Sequence, residues 1–449
     1  MKKQIDRRKF LIKSALSFGS LRLKSLVTGI PLAVLASPRA FAAGADHKFL
    51  IMSHFQAGDP INTNGPGTYP LNPNDQNDPL RLITHPNVDG FKTPTSVSFG
   101  DKQYLAAQPW STLPQDLRDR MGLWQHGTFV NAHADFPKTM QLNGGVSGIG
   151  DLSNSSEQLG AMIAQEMATN LGTVIDEPMS LGGTAVSSRS IRLPILKPIA
   201  IKEMFQSSFP DLEKMMRLRN HFVDTTYKDV KLNGTPAQKE FLDTMITTRG
   251  QAQSVADSIG TLTDGVTGND PIDQIKMILA LIQIKMSPVF TFGIPFGGDN
   301  HTDVGLAQEV AQTNSGMVLV NTLWTEIKKL GLEDDVVFAT LNTFGRTYLE
   351  DSLKGRDHNS LNHSMMVFGS TIKPGVIGGI EPHIKNGQVV DFKSSSINSV
   401  TGTTEGQTDI PLEESLVSVG KTLSKAVGMD EQRIHERISK GKIITGALV

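Results

Sequence analysis

The chain has 449 residues, no cysteine and a formal net charge of −2 at neutral pH. Without cysteine there are neither disulfides nor thiolate metal sites, whatever the redox state of the compartment. Residues 1–42 hold nine Lys/Arg and one Asp, so the remainder carries −10, which argues against nucleic acid and anionic lipid as general partners.

In chain order, Asp6-Arg7-Arg8-Lys9-Phe10-Leu11 precedes an apolar stretch ending in Ala40-Phe41-Ala42, a small-x-small cleavage pattern. This reads as a twin-arginine export peptide over residues 1–42. Arg22 and Lys24 interrupt the stretch and leave Ser25 to Ala36 as its cleanest part. That length is too short for a stable membrane span, so removal near Ala43 is expected rather than anchoring. No later segment reaches the roughly 18 uninterrupted apolar residues of a membrane helix. The expected location is periplasmic or secreted, with the chain exported folded.

Residues 48–53 predict a first buried strand, followed by a loop rich in Gly, Pro, Asn and Asp from Ala57 to Pro79. Long polar loops at strand ends are more often functional or mobile than structural. Ser155 with Gln158 reads as a capping box before Leu159, Met162, Ile163 and Met167, which recur at helical spacing. Thr235-Pro236 with Gln238 opens another helical stretch, and the pattern over about 205–265 predicts a helical insertion beside the sheet. Asp270-Pro271 starts a helix whose Ile275, Ile278, Leu279, Ile282 and Met286 share one face. A strand follows from Val289 to Ile294, then a helix from about Gly305 to Leu330 with Gly331 as its C-cap. Val336 to Leu341 and His363 to Phe368 read as two more strands. About 400 residues in this alternation predict an α/β fold with a doubly wound, mainly parallel sheet flanked by helices.

Three motifs fall at or near the ends of these strands: Gly298-Asp299-Asn300-His301-Thr302-Asp303, Phe344-Gly345-Arg346-Thr347 and Arg356-Asp357-His358. They are expected on one edge of the sheet, where α/β proteins place ligands. Carboxylates and neutral imidazoles ligate zinc-like ions, and guanidinium grips phosphate or sulfate in a fork. Asp299, His301, Asp357 and His358 are thus candidate ligands of a divalent metal (zinc, manganese, iron or calcium). Arg346 either binds an anion or ties two loops together through a buried carboxylate. Plainer readings stand beside the metal: an Asx-turn at Asp299 with a surface histidine at His301, and an Asp–Arg pair at Asp357. His133 faces the same cleft or is a core histidine, and Asp59 lies where turn chemistry is the default. His54 and His363 read as packing residues.

Together the motifs resemble the twin-arginine-exported family of domain of unknown function 1501, grouped with the alkaline phosphatase superfamily. Ala57-Gly58-Asp59 resembles that family's Gly-Gly-x-Asp loop, and His133-Ala134-Asp135 leading to Gly144 its His-x-Ala element. Gly298-Asp299-Asn300-His301 resembles its Trp-Asp-Thr-His, Thr343-Phe344-Gly345-Arg346-Thr347 its Glu-Phe-Gly-Arg-Thr, and Gly355-Arg356-Asp357-His358 its Gly-Arg-Asp-His. The resemblance spans nearly the whole chain after residue 42 and implies one alkaline phosphatase/sulfatase-like domain over 43–449. It further implies hydrolysis of a phosphate or sulfate ester, of an anionic small molecule or a glycan. The metal ligands would be Asp299, His301 and His358, with Asp357, Asp59 and His133 as further candidates, and Arg346 would stabilise charge on the non-bridging oxygens. Thr343 stands where the family has an acidic residue, Gly298 where it has tryptophan, and Thr128 is a nucleophile candidate only by position. The alternative is a catalytically degenerate exported protein that binds a protein partner or a surface glycan.

Overall fold

The computed structural model describes residues 47–72, 74–147, 153, 156–206, 231–236, 239 and 262–449. The export peptide expected at 1–42 and most of the helical insertion expected at about 205–265 lie outside the described residues, as do Ser155 and Gln238. The strands that position the site are β1 (Phe49–Ser53), β2 (Met121–His126), β3 (Met179–Ser180), β4 (Val289–Phe292), β5 (Val336–Thr340), β6 (Gly345–Arg346), β7 (His358–Asn359), β8 (His363–Phe368) and β9 (Gly375–Ile377). The helices used below are α1 (Phe136–Met140), α2 (Leu159–Leu171), α3 (Pro271–Gln283), α4 (Ala307–Lys329) and α5 (Ser415–Ala426).

The central sheet has seven strands in the order β9-β2-β8-β5-β1-β4-β3. Its core strands β1, β4 and β5 are short apolar runs buried at every position, as expected of strands covered on both faces. They pair in parallel, with Leu50 opposite Val289 and Val337. Strand alternation puts Met52 and Val289 on one face, where both meet Gly160 of α2. Phe292, Phe338 and Phe368 fall on the other, packed against one another and against Trp324 of α4. The fold is therefore α/β, with helices on both faces of a mixed, mostly parallel sheet.

The sequence signals for α3 and α4 correspond to observed hydrogen bonds. Asp270 caps α3 by accepting from the Ile272 and Asp273 amides, with Pro271 at the first helical position. The carboxylate of Asp303 accepts from the Gln308 and Glu309 amides at the start of α4. At the other end Gly331 adopts φ 65°, and the amides of Gly331 and Leu332 return to the Lys328 and Ile327 carbonyls.

Three expectations change. β8 runs antiparallel to both neighbours, with His363 opposite His126. The chain leaves β5, makes the small β6–β7 ladder and re-enters at the same edge, with no helix to carry it back for a parallel strand. Residues 156–158 are not helical, so α2 starts later than a helix capped from Ser155 would: Gln158 is its N-cap residue, makes no side-chain cap and accepts from the Ser187 amide at 3.1 Å. The polar loop from Ala57 is interior over its first part, because Asn62, Thr63 and Asn64 are fully buried with their side chains hydrogen-bonded.

Candidate metal centre

At the C-terminal edge of the parallel strands the loops following β1, β4 and β5 are joined by single bridges, Gly58 to Gly298 and Asp59 to Gly345. The approach is close enough to require glycine: a Cβ on Gly297 would collide with the Gly58 carbonyl, and one on Gly58 would lie 2.6 Å from Nε of Arg346. Asn62 locks the edge of β6 by accepting from the Arg346 amide (3.1 Å) and donating to the Arg346 carbonyl (2.8 Å). Across the β6–β7 ladder Arg346 pairs with His358.

This framework brings a ring nitrogen from each of His133, His301 and His358 within 4.8 Å of the others. Nδ1 of His133 lies 2.8 Å from the Gln56 carbonyl, and Nδ1 of His358 lies 2.9 Å from the Asn131 carbonyl. A carbonyl oxygen only accepts, so both Nδ1 atoms carry a proton, and in the neutral rings that metal binding requires both Nε2 atoms present lone pairs. Nε2 of His133 is buried with no partner among the described residues. Nε2 of His301 lies 3.0 Å from Nε2 of His358. On its other side, Nδ1 of His301 faces Asp357 at 3.5 Å and Asp351 at 3.8 Å. Phe344 stacks on His358 at 4.0 Å and meets His133 edge-on at 5.1 Å, fixing both rings. Burial holds His358 below the usual imidazole range against its Asn131 hydrogen bond, and the charges of Arg346, His133 and His301 add to the effect. The neutral form it favours is the one that ligates metal.

The donor set fits a transition metal ion. Ligating histidines usually donate their second ring nitrogen to a carbonyl or carboxylate, which fixes tautomer and orientation. Here those outer partners are Gln56, Asn131 and the Asp351/Asp357 pair. Tetrahedral zinc with bonds of about 2.0–2.1 Å separates its nitrogen ligands by roughly 3.3 Å, close to the His301–His358 spacing.

The remaining candidates distribute unevenly. The Asp299 carboxylate is 3.5 Å from Nε2 of His301 and is largely exposed, as is Asp357. Neither belongs to the three-histidine group. Asp59 does not belong to it either. It is fully buried, accepts from the Ile61 amide and from Asn342, and precedes Pro60, the N-cap of the helical turn Ile61–Asn64. Burial pushes its carboxyl up to about 7, opposed by the Ile61 hydrogen bond and by Arg346. Thr128 is fully buried just beyond β2, its amide bonded to the Ser360 carbonyl. Its hydroxyl has no partner among the described residues, and the same is true of Thr343.

Arg346 ties loops together, through backbone carbonyls rather than a carboxylate. It is fully buried, and its Nη1 and Nη2 donate to the Arg356 and Gly298 carbonyls. Its guanidinium stands 5.5 Å from the Phe344 ring, and burial lowers its pKa to about 10 against the pull of Asp299, Asp357, Asp59 and Asp351. The buried ion pair of this edge is Arg356 with Glu309, which also accepts from Thr63 and Asn64. The remaining Arg356 donors go to the Thr84, Thr347 and Tyr348 carbonyls. His54 and His363 are buried as expected, the first against Phe136 and the second accepting from the Asn342 amide.

Asp351, Glu309 and the stacking role of Phe344 have no motif to reveal them. Asp351 belongs to Asp-Ser-Leu-Lys-Gly, which reads only as a turn. No curated protein matches the chain. Residues 274–438, which carry His301, Arg346 and His358 but neither Asp59 nor His133, match the family model described as "Protein of unknown function (DUF1501)".

Proposed function

We propose that this is an exported, hydrolase-like protein that holds one divalent transition metal ion at His133, His301 and His358. The observation that carries the reading is the convergence of three imidazoles, two of them with Nδ1 anchored on a carbonyl and the third with Nδ1 against carboxylates. Imidazole donors suit zinc or iron better than manganese or calcium, which favour oxygen ligands. When bound, such an ion polarises an ester oxygen and lowers the pKa of a bound nucleophile. Asp299, exposed and 3.5 Å from Nε2 of His301, would ligate the ion or accept a proton. The resemblance supports a phosphate or sulfate ester as substrate and an alkaline phosphatase-like relationship, with which a mostly parallel sheet and a site at its C-terminal edge agree. Export is supported by residues 6–42 alone.

A second reading, a degenerate protein that uses this edge to bind a protein partner or glycan, is favoured by the burial of Thr128 and by Thr343 in place of a carboxylate. The two are separated by metal analysis of the mature protein purified without chelator or His-tag. Near-stoichiometric metal that disappears in His301→Ala and His358→Ala supports the first and justifies a phosphatase and sulfatase panel. A well-folded, metal-free wild type supports the second.

A further inference from the structure

Three carboxylates border the histidine group, and among the described residues none of them pairs with a lysine or arginine. Asp299 approaches Nε2 of His301, while Asp351 and Asp357 face its Nδ1. Asp351 is held for this: its Oδ1 accepts from the Leu353 and Gly355 amides at 2.7 and 3.1 Å, leaving Oδ2 toward the imidazole. Asp357 is fixed by accepting from the His358 amide at 2.7 Å. Lys354, in the same loop, is exposed and forms no ion pair with them. Arg346 acts on all three through its charge, while its Nη1 and Nη2 each donate to a backbone carbonyl and its Nε is buried with no partner among the described residues. Arg356 is neutralised by Glu309. Three carboxylates and one guanidinium leave a formal charge of −2 around the centre, which a divalent ion brings to zero and not above it.

Building on the metal reading above, we infer that the centre takes a monoanionic ester, a sulfate ester or a phosphodiester, and discriminates against a phosphate monoester. A monoester carries a charge of about −1.5 to −2 at neutral pH. Around a centre of net zero charge the ion and Arg346 offset the carboxylate border, so no net attraction repays desolvation, which costs a dianion more than a monoanion because the Born cost grows with the square of the charge. The border itself acts about twice as strongly on a dianion as on a monoanion and not at all on a neutral ester. Asp351 and Asp357 are in this role specificity-determining residues, placed around His301 where they need not touch the reacting atoms.

The test uses the mature protein loaded with cobalt, with binding read from the visible spectrum of the metal. The probes are phenyl phosphate, phenyl sulfate, diphenyl phosphate and the neutral diethyl phenyl phosphate. At least one of the two monoanions is expected to bind about tenfold or more tighter than phenyl phosphate, and the tighter one tells a sulfate ester from a phosphodiester. In Asp351→Asn and Asp357→Asn, checked for cobalt content, the logarithm of affinity should rise about twice as much for phenyl phosphate as for the monoanions, and not at all for the neutral ester. If the wild type binds phenyl phosphate as tightly as both monoanions, or if the variants shift all four probes alike, the charge discrimination is wrong although the metal is present. Failure of the wild type to take up cobalt removes the metal reading itself.

Discussion

The Nε2 atoms of His301 and His358 face each other at 3.0 Å although 57 residues separate them. Neither ring is free to turn: His358 is held by the Asn131 carbonyl and the Phe344 stack, and His301 lies against Asp351 and Asp357. The loops carrying them are joined by the Arg356 amide donating to the Asn300 carbonyl at 2.9 Å. Two lone pairs at this distance repel unless a proton or a cation lies between them, so the spacing calls for a cation, and the tethered rings lower the ordering cost that metal binding usually carries.

A preformed centre of this kind should stabilise the fold when loaded. With free zinc at 100 times its dissociation constant, the gain expected is about 2.7 kcal/mol, read as a rise in unfolding temperature. His301→Ala and His358→Ala should each abolish the shift, and the double variant should be no worse than either, because ligands of one ion act as a unit. A metal-dependent shift of unchanged size in both single variants would place the ion elsewhere.

Glu309 and Arg356 make a second prediction, since both side chains are wholly inaccessible to solvent. Removing one partner leaves a buried charge, at a cost of about 3–5 kcal/mol. Glu309→Leu should lose that much in urea unfolding, and it also strips Thr63 and Asn64 of an acceptor. A loss below about 1 kcal/mol would mean that the pair is not what joins α4 to the Arg356 loop.

Phe344 should matter for both stability and metal. It is fully buried and braces His133, His358 and the Arg346 guanidinium. Phe344→Ala is expected to cost about 3–5 kcal/mol and to weaken metal binding beyond the stability loss, whereas Phe344→Leu should restore more of the fold than of the affinity. Equal recovery of both would reduce Phe344 to a packing residue.

What could be read in advance follows from how local each signal is. β1, β4 and β5 were legible as short apolar runs, and α3 and α4 through Asp270-Pro271 and Gly331, because burial on both faces and helix caps are written within a few residues. His301 and His358 were legible for the same reason, each sitting in a strand-end motif. His133 was not distinguishable from a core histidine without the resemblance, since its partner Gln56 is 77 residues away. The direction of β8, the use of Arg346 as a tie and the Glu309–Arg356 pair depend on which loops meet at the sheet edge. No spacing in the chain encodes that.

The buried histidines away from the centre predict how stability responds to acid. Burial lowers His54 and His126 from 6.5 to about 4. It lowers His85 to about 3, helped by Arg356, and His363 well below its ordinary value, helped by His126. Stability from these neutral imidazoles is fully present above pH 6.5 and is lost as pH falls toward their folded values, because the unfolded chain takes up the protons first. Asp59 and Asp391, raised by burial to about 7 and about 6, act in the opposite sense and lose stability as pH rises. Around pH 5 the unfolded chain thus holds up to four extra protons on the imidazoles and the folded chain up to two on the carboxyls. The imidazoles win by about two protons, or roughly 3 kcal/mol per pH unit. Urea unfolding should therefore show maximal stability at about pH 7–8 and a steep loss toward pH 5, with a shallower slope in His54→Leu. A stability unchanged between pH 6.5 and 5 would require these imidazoles to be hydrated or paired in solution.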